Sequence, residues 1–232
     1  MLIDQYVTQT ESGFSFSRKQ SSEFAKKVAT DFNPLHDEDA KRFCVPGDLM
    51  FSYLLTKYGI SEQMTCHFSG MVAADTLLCT KQENNVRTVI DQQGKPYLSI
   101  TRNGAVFDDP AIIDPLIKDY VRFSGQNFPY ILQPLMQKHQ VMINPARPLV
   151  IYESMSLQFS QLPQQKVELQ LSNSTLTVEG KRGNVILEFC LVSAGVVIGK
   201  GEKRMILSNL TPYNDEQMQL MVKEYNNRKA AA

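Results

Sequence analysis

The stretch that decides the fold is Asp31-Phe32-Asn33-Pro34-Leu35-His36. It places a carboxylate and an imidazole on either side of a proline. Pro34 has a fixed φ and disfavours the helical region for Asn33, so the stretch predicts a rigid turn. Such a turn can hold a water molecule between Asp31 and His36 and polarise it for addition or hydrolysis. The alternative is an Asx-turn, in which Asn33 and Asp31 cap local backbone groups and His36 starts a helix.

The residues around this turn resemble the elements that flank the same motif in the (R)-specific enoyl-CoA hydratases: a strand at 14–16, a helix over 21–28 that leads into the turn, and a short acidic-then-basic helix at 37–43. Pro46-Gly47 then opens an apolar helix over 49–58, which Gly59 ends. The apolar helix has little polar surface, so it is expected to be mostly buried.

The pattern Asp-x-Asn-Pro-x-His in this context resembles the (R)-specific enoyl-CoA hydratases, the MaoC-like branch of the hot-dog fold. The resemblance extends over residues 14–104 and is sharpest over 31–59. It implies an α+β fold in which antiparallel sheets wrap central helices. It also implies a lyase of fatty acid metabolism that adds water across the double bond of a trans-2-enoyl thioester, giving an (R)-3-hydroxyacyl thioester.

The resemblance also assigns roles to four residues. Asp31 and His36 would bind the water, remove its proton during attack on the β-carbon, and return a proton to the α-carbon. Asn33 would orient the turn. Gly47, at the start of an apolar helix, would offer a free backbone N–H to the enolate oxygen, although a tight turn explains this glycine equally well. The implied partner is an acyl thioester of coenzyme A or of acyl-carrier protein, with no further cofactor; a homodimer is among the assemblies it allows.

The second half of the chain repeats the order of helix and strands. A break near Asp108-Asp109-Pro110 precedes a helical region over 115–139, interrupted at Gly125, Pro129 and Pro134. Alternating strands are then predicted, at 154–159, 167–171, 176–179, 185–189, 196–198 and 205–207, just as 71–80, 86–90 and 97–101 follow the first helix. We therefore predict a double hot dog with units 1–107 and 108–232. One hot-dog unit beside an unrelated α+β domain is the alternative.

The segment 124–131, Ser-Gly-Gln-Asn-Phe-Pro-Tyr-Ile, resembles a worn copy of the hydratase turn. Gln126 stands in place of the aspartate and Ile131 in place of the histidine, so the second half is expected to line the site and receive the coenzyme. Four cations are candidate phosphate partners: Arg102, Lys118, Arg122 and Arg147.

Composition excludes several classes of function. The 24 basic and 24 acidic residues give no net charge, so neither nucleic acid nor an anionic membrane is an expected partner. No apolar run is long enough to cross a bilayer, and residues 1–5 lack the features of a signal peptide. The four cysteines lack C-x-x-C spacing and predict reduced, mostly buried thiols in a cytoplasmic protein without a metal site.

Two other functions remain open at this stage. A thioesterase could use the same fold, with Asp31 directing water to the carbonyl carbon. A non-catalytic module could bind acyl thioesters with the same turn. Departures from the hydratase pattern, Ala29-Thr30 in place of Ser-Gly and Pro46 in place of histidine, alter the surroundings of the turn more than Asp31 and His36 themselves.

Overall fold

The computed structural model describes residues 2–231. The helices are α1 (Arg18–Glu23, continued by a π-helical turn Phe24–Ala29), α2 (Gly47–Tyr58), α3 (Pro110–Gly125), α4 (Leu132–Lys138) and α5 (Asp215–Ala230). The strands are β1 (Thr8–Thr10), β2 (Gly13–Ser15), β3 (Ile60–Phe68), β4 (Leu78–Glu83), β5 (Val86–Asp91), β6 (Pro96–Phe107), β7 (Val141–Met142), β8 (Val150–Phe159), β9 (Glu168–Glu179), β10 (Arg182–Ser193), β11 (Val196–Ser208) and β12 (Thr211–Pro212).

The main sheet shows that the two halves share one topology. Ten antiparallel strands follow the order β1-β2-β4-β5-β6-β3-β8-β11-β10-β9. Counted outward from the central pair, the first half has the order β3, β6, β5, β4 and the second half has the order β8, β11, β10, β9. In both halves the innermost strand is the first of the four in the chain, and the fourth, third and second follow it outward. The halves meet where β3 pairs with β8, from Gln63 opposite Gln158 to His67 opposite Ser154. This is a double hot dog, as predicted, and the repeated order excludes an unrelated second domain.

Helices α2 and α3 are buried because each presents a continuous apolar surface. In α2, the run from Asp48 to Leu55 is buried, which confirms the expected burial of this helix. In α3, Ile113, Leu116, Ile117, Tyr120 and Val121 share one face with helical spacing, and all are buried. Phe51 of α2 meets Tyr120 of α3 edge to face, with ring centroids 5.2 Å apart.

Helix ends follow sequence signals. Ser17 and Gln20 form a capping box at α1. Asp109 caps α3, its carboxylate accepting from the Ala111 N–H at 2.9 Å, with Pro110 as first helical residue. Gly59 ends α2 with φ +72°, a conformation that side chains rarely adopt.

Several predicted elements are wrong. The segment 71–80 is a strand only from Leu78, because Val72 is buried beside the turn, its carbonyl accepting from Val45 N at 2.9 Å. Residues 37–43 form turns rather than a short helix. The helix predicted to start at 115 starts at Pro110, and Pro134 lies within the first turn of α4, where proline is tolerated.

Other strands are longer than predicted or were missed. The separate strands predicted at 167–171 and 176–179 are one strand, β9, and those at 196–198 and 205–207 are β11. The central strand β3 was not predicted, nor was α5. The division into units 1–107 and 108–232 stays a prediction, and residues 1 and 232 lie outside the described part. Within residues 2–231, no helix is both long and apolar enough to span a bilayer.

Candidate functional site

The turn that holds Asp31 is set up by the end of a helix. The π-helical turn ends at Thr30, which adopts a left-handed conformation with φ 52°. The Asp31 N–H then donates to the Ala25 carbonyl at 2.8 Å, closing the helix end. The chain therefore leaves the helix abruptly, and Asp31 is the first residue of the turn.

Asp31 divides its two carboxylate oxygens between the turn and His36. Oδ1 accepts from the Asn33 N–H at 2.9 Å, and the Asn33 side chain accepts from the Leu35 N–H at 3.1 Å. The Asx-turn considered as an alternative is thus present. Oδ2 of Asp31 faces Nε2 of His36 at 3.7 Å. This gap is longer than a hydrogen bond, and one water oxygen can reach both atoms across it.

The orientation of His36 is fixed by the backbone of Cys44. Nδ1 of His36 lies 2.9 Å from the Cys44 carbonyl oxygen, which can only accept, so Nδ1 carries a proton. Nε2 is thereby directed to Asp31. The Cys44 N–H in turn donates to the Leu35 carbonyl at 3.2 Å, tying the segment after the turn back to it.

The electrostatics of this pair favour a charged imidazole. Burial lowers the pKa of His36, but its contacts with Cys44 and the Asp31 carboxylate outweigh burial and raise the pKa to about 9. Burial raises the pKa of the Asp31 carboxyl, against the opposing effects of His36 and the Asn33 N–H. At neutral pH His36 is therefore an imidazolium, and it lies beside a carboxyl group that burial makes more basic than usual.

Gly47 lies where it was predicted, at the first position of α2 and against the same cavity. Its backbone N–H belongs to the first turn of the helix, whose N–H groups lack intrahelical acceptors. A Cβ at this position would lie 2.9 Å from the Phe68 ring. Packing against Phe68 therefore explains the glycine by itself, and its role in binding an enolate stays a prediction.

Asp31, Asn33, His36 and Gly47 all line one cavity of about 740 Å³. Both halves contribute apolar walls; the apolar lining includes Val45, Met50, Phe68, Val72, Phe128, Leu132, Ile143, Leu149 and Met205. The cavity reaches the surface beneath α5, because Leu220 lines it and is 59% exposed. An apolar cavity with one polar corner is the usual form of a small-molecule site.

The second-half turn packs directly on the first. A Cβ on Gly125 would lie 2.1 Å from the Ala29 carbonyl oxygen and 3.1 Å from the Asp31 Cβ. Gln126 donates to the Thr30 hydroxyl at 3.3 Å. The Tyr225 hydroxyl of α5 lies 3.2 Å from the carbonyls of both Thr30 and Gly125. The segment that begins with Gly125 therefore packs against the turn and supports Asp31.

Sequence reasoning missed the residues that support the site. The Cys44 carbonyl orients His36, but a backbone acceptor leaves no sequence pattern. Tyr225 was missed although α5 had a signal: Asn214 caps it, accepting from Gln217 N–H at 2.9 Å, and Met218, Met221 and Tyr225 follow at helical spacing.

The predicted phosphate partners do not gather at the cavity. Arg102 donates to the Ser61 hydroxyl and the Gly59 carbonyl, and Lys118, Arg122 and Arg147 are exposed. Arg228 of α5 lines the cavity and is paired with Asp37. Among residues 2–231, no three His, Cys, Asp or Glu side chains are grouped to hold a metal ion, and the four cysteines are free.

The chain belongs to the family described as "Protein of unknown function (DUF3581)", whose model matches residues 1–216. No match was found among curated proteins. Its structure is similar to a protein of unknown function with a hot-dog fold from Alicyclobacillus acidocaldarius (12% identity, 92% of this chain and 99% of that one, TM-score 0.46). It is also similar to a MaoC-like dehydratase (8% identity, 88% of this chain and 98% of that one, TM-score 0.45). A third similar structure is an acyl-CoA thioesterase II from Mycobacterium marinum (10% identity, 92% of this chain and 100% of that one, TM-score 0.42).

Proposed function

We propose that this member of the family hydrates trans-2-enoyl thioesters to (R)-3-hydroxyacyl thioesters. The observation that supports this most is the convergence of the Asp31 carboxylate and the His36 imidazole, 3.7 Å apart, on one wall of the 740 Å³ cavity. An acid–base pair on the wall of a largely apolar cavity suits a reaction that moves two protons beside an acyl chain.

The protonation states divide the work between the two residues. A water molecule in the gap gives one proton to Asp31 as its oxygen attacks C3 of the enoyl thioester. The π electrons of the C2=C3 bond move toward the thioester carbonyl and form an enolate. Asp31 is suited to be the base because burial makes its carboxylate more basic, and the imidazolium of His36 holds the water oxygen.

The second proton transfer completes the addition. His36, charged at neutral pH, gives its Nε2 proton to C2 as the enolate collapses. Asp31 is then protonated and His36 neutral, and the proton on Asp31 returns to His36 through the next water molecule. The cycle consumes one water and one enoyl thioester, and both residues end as they began.

The acyl part of the substrate would occupy the apolar walls, with the thioester near the polar corner. The carrier is proposed to be coenzyme A or acyl-carrier protein, reaching the cavity from the side where Leu220 is exposed. Arg228, at the same rim, is the cation best placed to meet the carrier's phosphate once its pairing with Asp37 opens.

Crotonyl-CoA tests the proposal against its two alternatives. A hydratase lowers the enoyl absorbance and releases no free thiol, a thioesterase releases free thiol, and a binding module does neither while still binding the ligand. We expect loss of the enoyl band with the wild type. Thiol release in its place would contradict the proposed reaction, and binding without turnover would show a non-catalytic module.

A further inference from the structure

Four polar side chains form a buried cluster beside the cavity: Asp48 of α2, Ser124 of α3, Tyr152 of β8 and Lys203 of β11. Lys203, Ser124 and Asp48 are 1%, 1% and 3% exposed. Ser124 and Tyr152 also line the cavity. Lysine and aspartate are rarely buried to this degree, since removing both charges from water opposes folding. The cluster therefore needs an explanation other than stability.

Ser124 is the centre of the cluster. Its hydroxyl oxygen accepts from the Lys203 ammonium, its proton goes to the Asp48 carboxylate, and the Tyr152 hydroxyl lies 3.0 Å away. Nζ of Lys203 is 3.9 Å from Asp48 Oδ2 and 3.5 Å from the centre of the Tyr152 ring. The cation thus lies directly under the ring of Tyr152, a residue that lines the cavity.

The number of protons allows two arrangements. A serine hydroxyl has one proton and two acceptor positions. In the first arrangement Ser124 donates to Asp48, and both Lys203 and Tyr152 donate to Ser124. In the second, Ser124 keeps its bonds with Asp48 and Lys203, and the Tyr152 proton turns from Ser124 to a ligand oxygen in the cavity. The second leaves the Lys203 cation under the ring of a hydroxyl that donates to a ligand, and a cation in this place strengthens that donor.

We propose that Tyr152 is a catalytic hydrogen-bond donor to the thioester carbonyl oxygen, with Ser124 and Lys203 as positioning residues that strengthen it as enolate charge develops. The inference rests on the proposed function, since it assumes a thioester in the cavity. The position is suitable because Ser124 precedes Gly125, which packs on Asp31. Tyr152 also contacts Phe68, the ring beneath Gly47, with centroids 6.2 Å apart.

The charges around Tyr152 keep it a donor. Burial raises the pKa of Tyr152 well above its usual range, and the Asp48 and Asp31 carboxylates add to this, so the hydroxyl stays protonated. Burial lowers the pKa of Lys203 to about 8, against the effect of Asp48, so Lys203 is still mostly cationic at neutral pH. A neutral donor backed by a buried cation is well suited to an oxyanion.

Acetoacetyl-CoA tests this without requiring turnover. This 3-oxoacyl thioester ionises to an enolate with its own near-ultraviolet band, so its apparent pKa when bound reports how well the site stabilises an enolate. Tyr152→Phe keeps the ring over Lys203 and removes only the hydroxyl. Tyr58→Phe is the matched control, since its hydroxyl is 2.9 Å from another hydroxyl, that of Thr80, and it does not line the cavity.

We expect the wild type and Tyr58→Phe to lower the apparent pKa of bound acetoacetyl-CoA alike. Tyr152→Phe should stabilise the enolate about 100-fold less, which places the apparent pKa about two higher, with similar affinity for the neutral form. The pair Asp48→Asn with Lys203→Met removes both buried charges together, which keeps the cluster neutral. It should raise the apparent pKa of the bound ligand while Tyr152 is intact.

The outcomes separate this inference from the proposed reaction. If wild type and Tyr152→Phe stabilise the enolate equally, or neither does, the donor role is wrong even where crotonyl-CoA is hydrated. If the enolate depends on Tyr152 but no enoyl thioester is hydrated, the proposed reaction is wrong and the donor role stands. If acetoacetyl-CoA does not bind at all, the donor role is wrong, and the proposed reaction is wrong as well when crotonyl-CoA is not hydrated either.

Discussion

At the scale of single residues, the two oxygens of Asp31 have different tasks. Oδ1 holds the turn through the Asn33 N–H, and Oδ2 faces His36 across a gap that one water molecule can fill. An amide at this position can still accept the Asn33 bond through its oxygen. It cannot take a proton from water. The structural and chemical roles of Asp31 can therefore be separated by one substitution.

Asp31→Asn and His36→Ala should each lower kcat about 10²–10⁴-fold on crotonyl-CoA, because acid–base groups typically contribute this much. The double variant should be scarcely slower than either single one, since the two residues act as a unit. Asp75→Asn, in an exposed turn, is the matched control and should keep full activity. Thermal unfolding should change little. A fall in Tm of several degrees (more than ~1 kcal/mol) with no effect on turnover would identify both residues as structural caps.

The activity should depend on pH in a bell-shaped manner. The base must be ionised, so kcat/KM should fall as pH drops through the raised pKa of Asp31. The acid must be protonated, so kcat/KM should fall again as pH rises through about 9, the pKa of His36. Initial rates with crotonyl-CoA, measured at constant ionic strength over a series of pH values, give the profile. If the limb at the ordinary histidine value were instead an acid limb, with activity rising as His36 loses its proton, His36 would act as a neutral base and the assignment of roles would be reversed.

At the scale of elements, the site depends on how helix ends meet. The π-helical end that presents Asp31 and the C-terminal residue of α3, Gly125, are in contact, and Tyr225 of α5 bridges both. The contact leaves no room for a Cβ on Gly125, so a larger residue at this position would push the two segments apart and move Asp31. Gly125 and Tyr225 thus support the turn that presents Asp31.

Gly125→Ala should destabilise the fold and displace Asp31. Its Cβ would meet the Ala29 carbonyl oxygen at 2.1 Å, and overpacking of this kind costs about 1–3 kcal/mol. Gly70→Ala is the control for stability, because its Cβ would meet the nearest atom, on Tyr97, at 3.4 Å, an ordinary contact. Urea unfolding of both variants measures the difference. Equal free energies of unfolding would show that the two turns are not in tight contact.

The sequence was most informative where chemistry is local. The turn at Asp31 and the burial of α2 follow from adjacent residues, so they could be predicted. Strand β3 alternates buried Met64 and Cys66 with exposed Gln63 and His67, a pattern that indicates a strand. The strand was instead predicted from residue 71, where the chain is more apolar. The cluster around Ser124 could not be predicted, because α2, α3, β8 and β11 bring its members together only in the folded chain.

At the scale of the whole molecule, the two halves share a topology and differ in what they contribute. The first supplies Asp31, His36 and Gly47, and the second supplies the opposite wall with Ser124, Tyr152 and Met205. Because β3 and β8 pair at the seam, one continuous sheet joins the two halves that make these contributions. Two halves of one topology thus form a single cavity, whose candidate acid and base both come from the first half.

The most direct test of the central claim is the position of the oxygen that the protein takes from water. Crotonyl-CoA is incubated with the protein in water labelled with heavy oxygen, and the product is analysed by mass spectrometry after chiral separation. We predict one heavy oxygen at the 3-hydroxyl of (R)-3-hydroxybutyryl-CoA, an intact thioester, and loss of this product with Asp31→Asn. Heavy oxygen in a free carboxylate, or labelled product that persists in Asp31→Asn, would contradict the account.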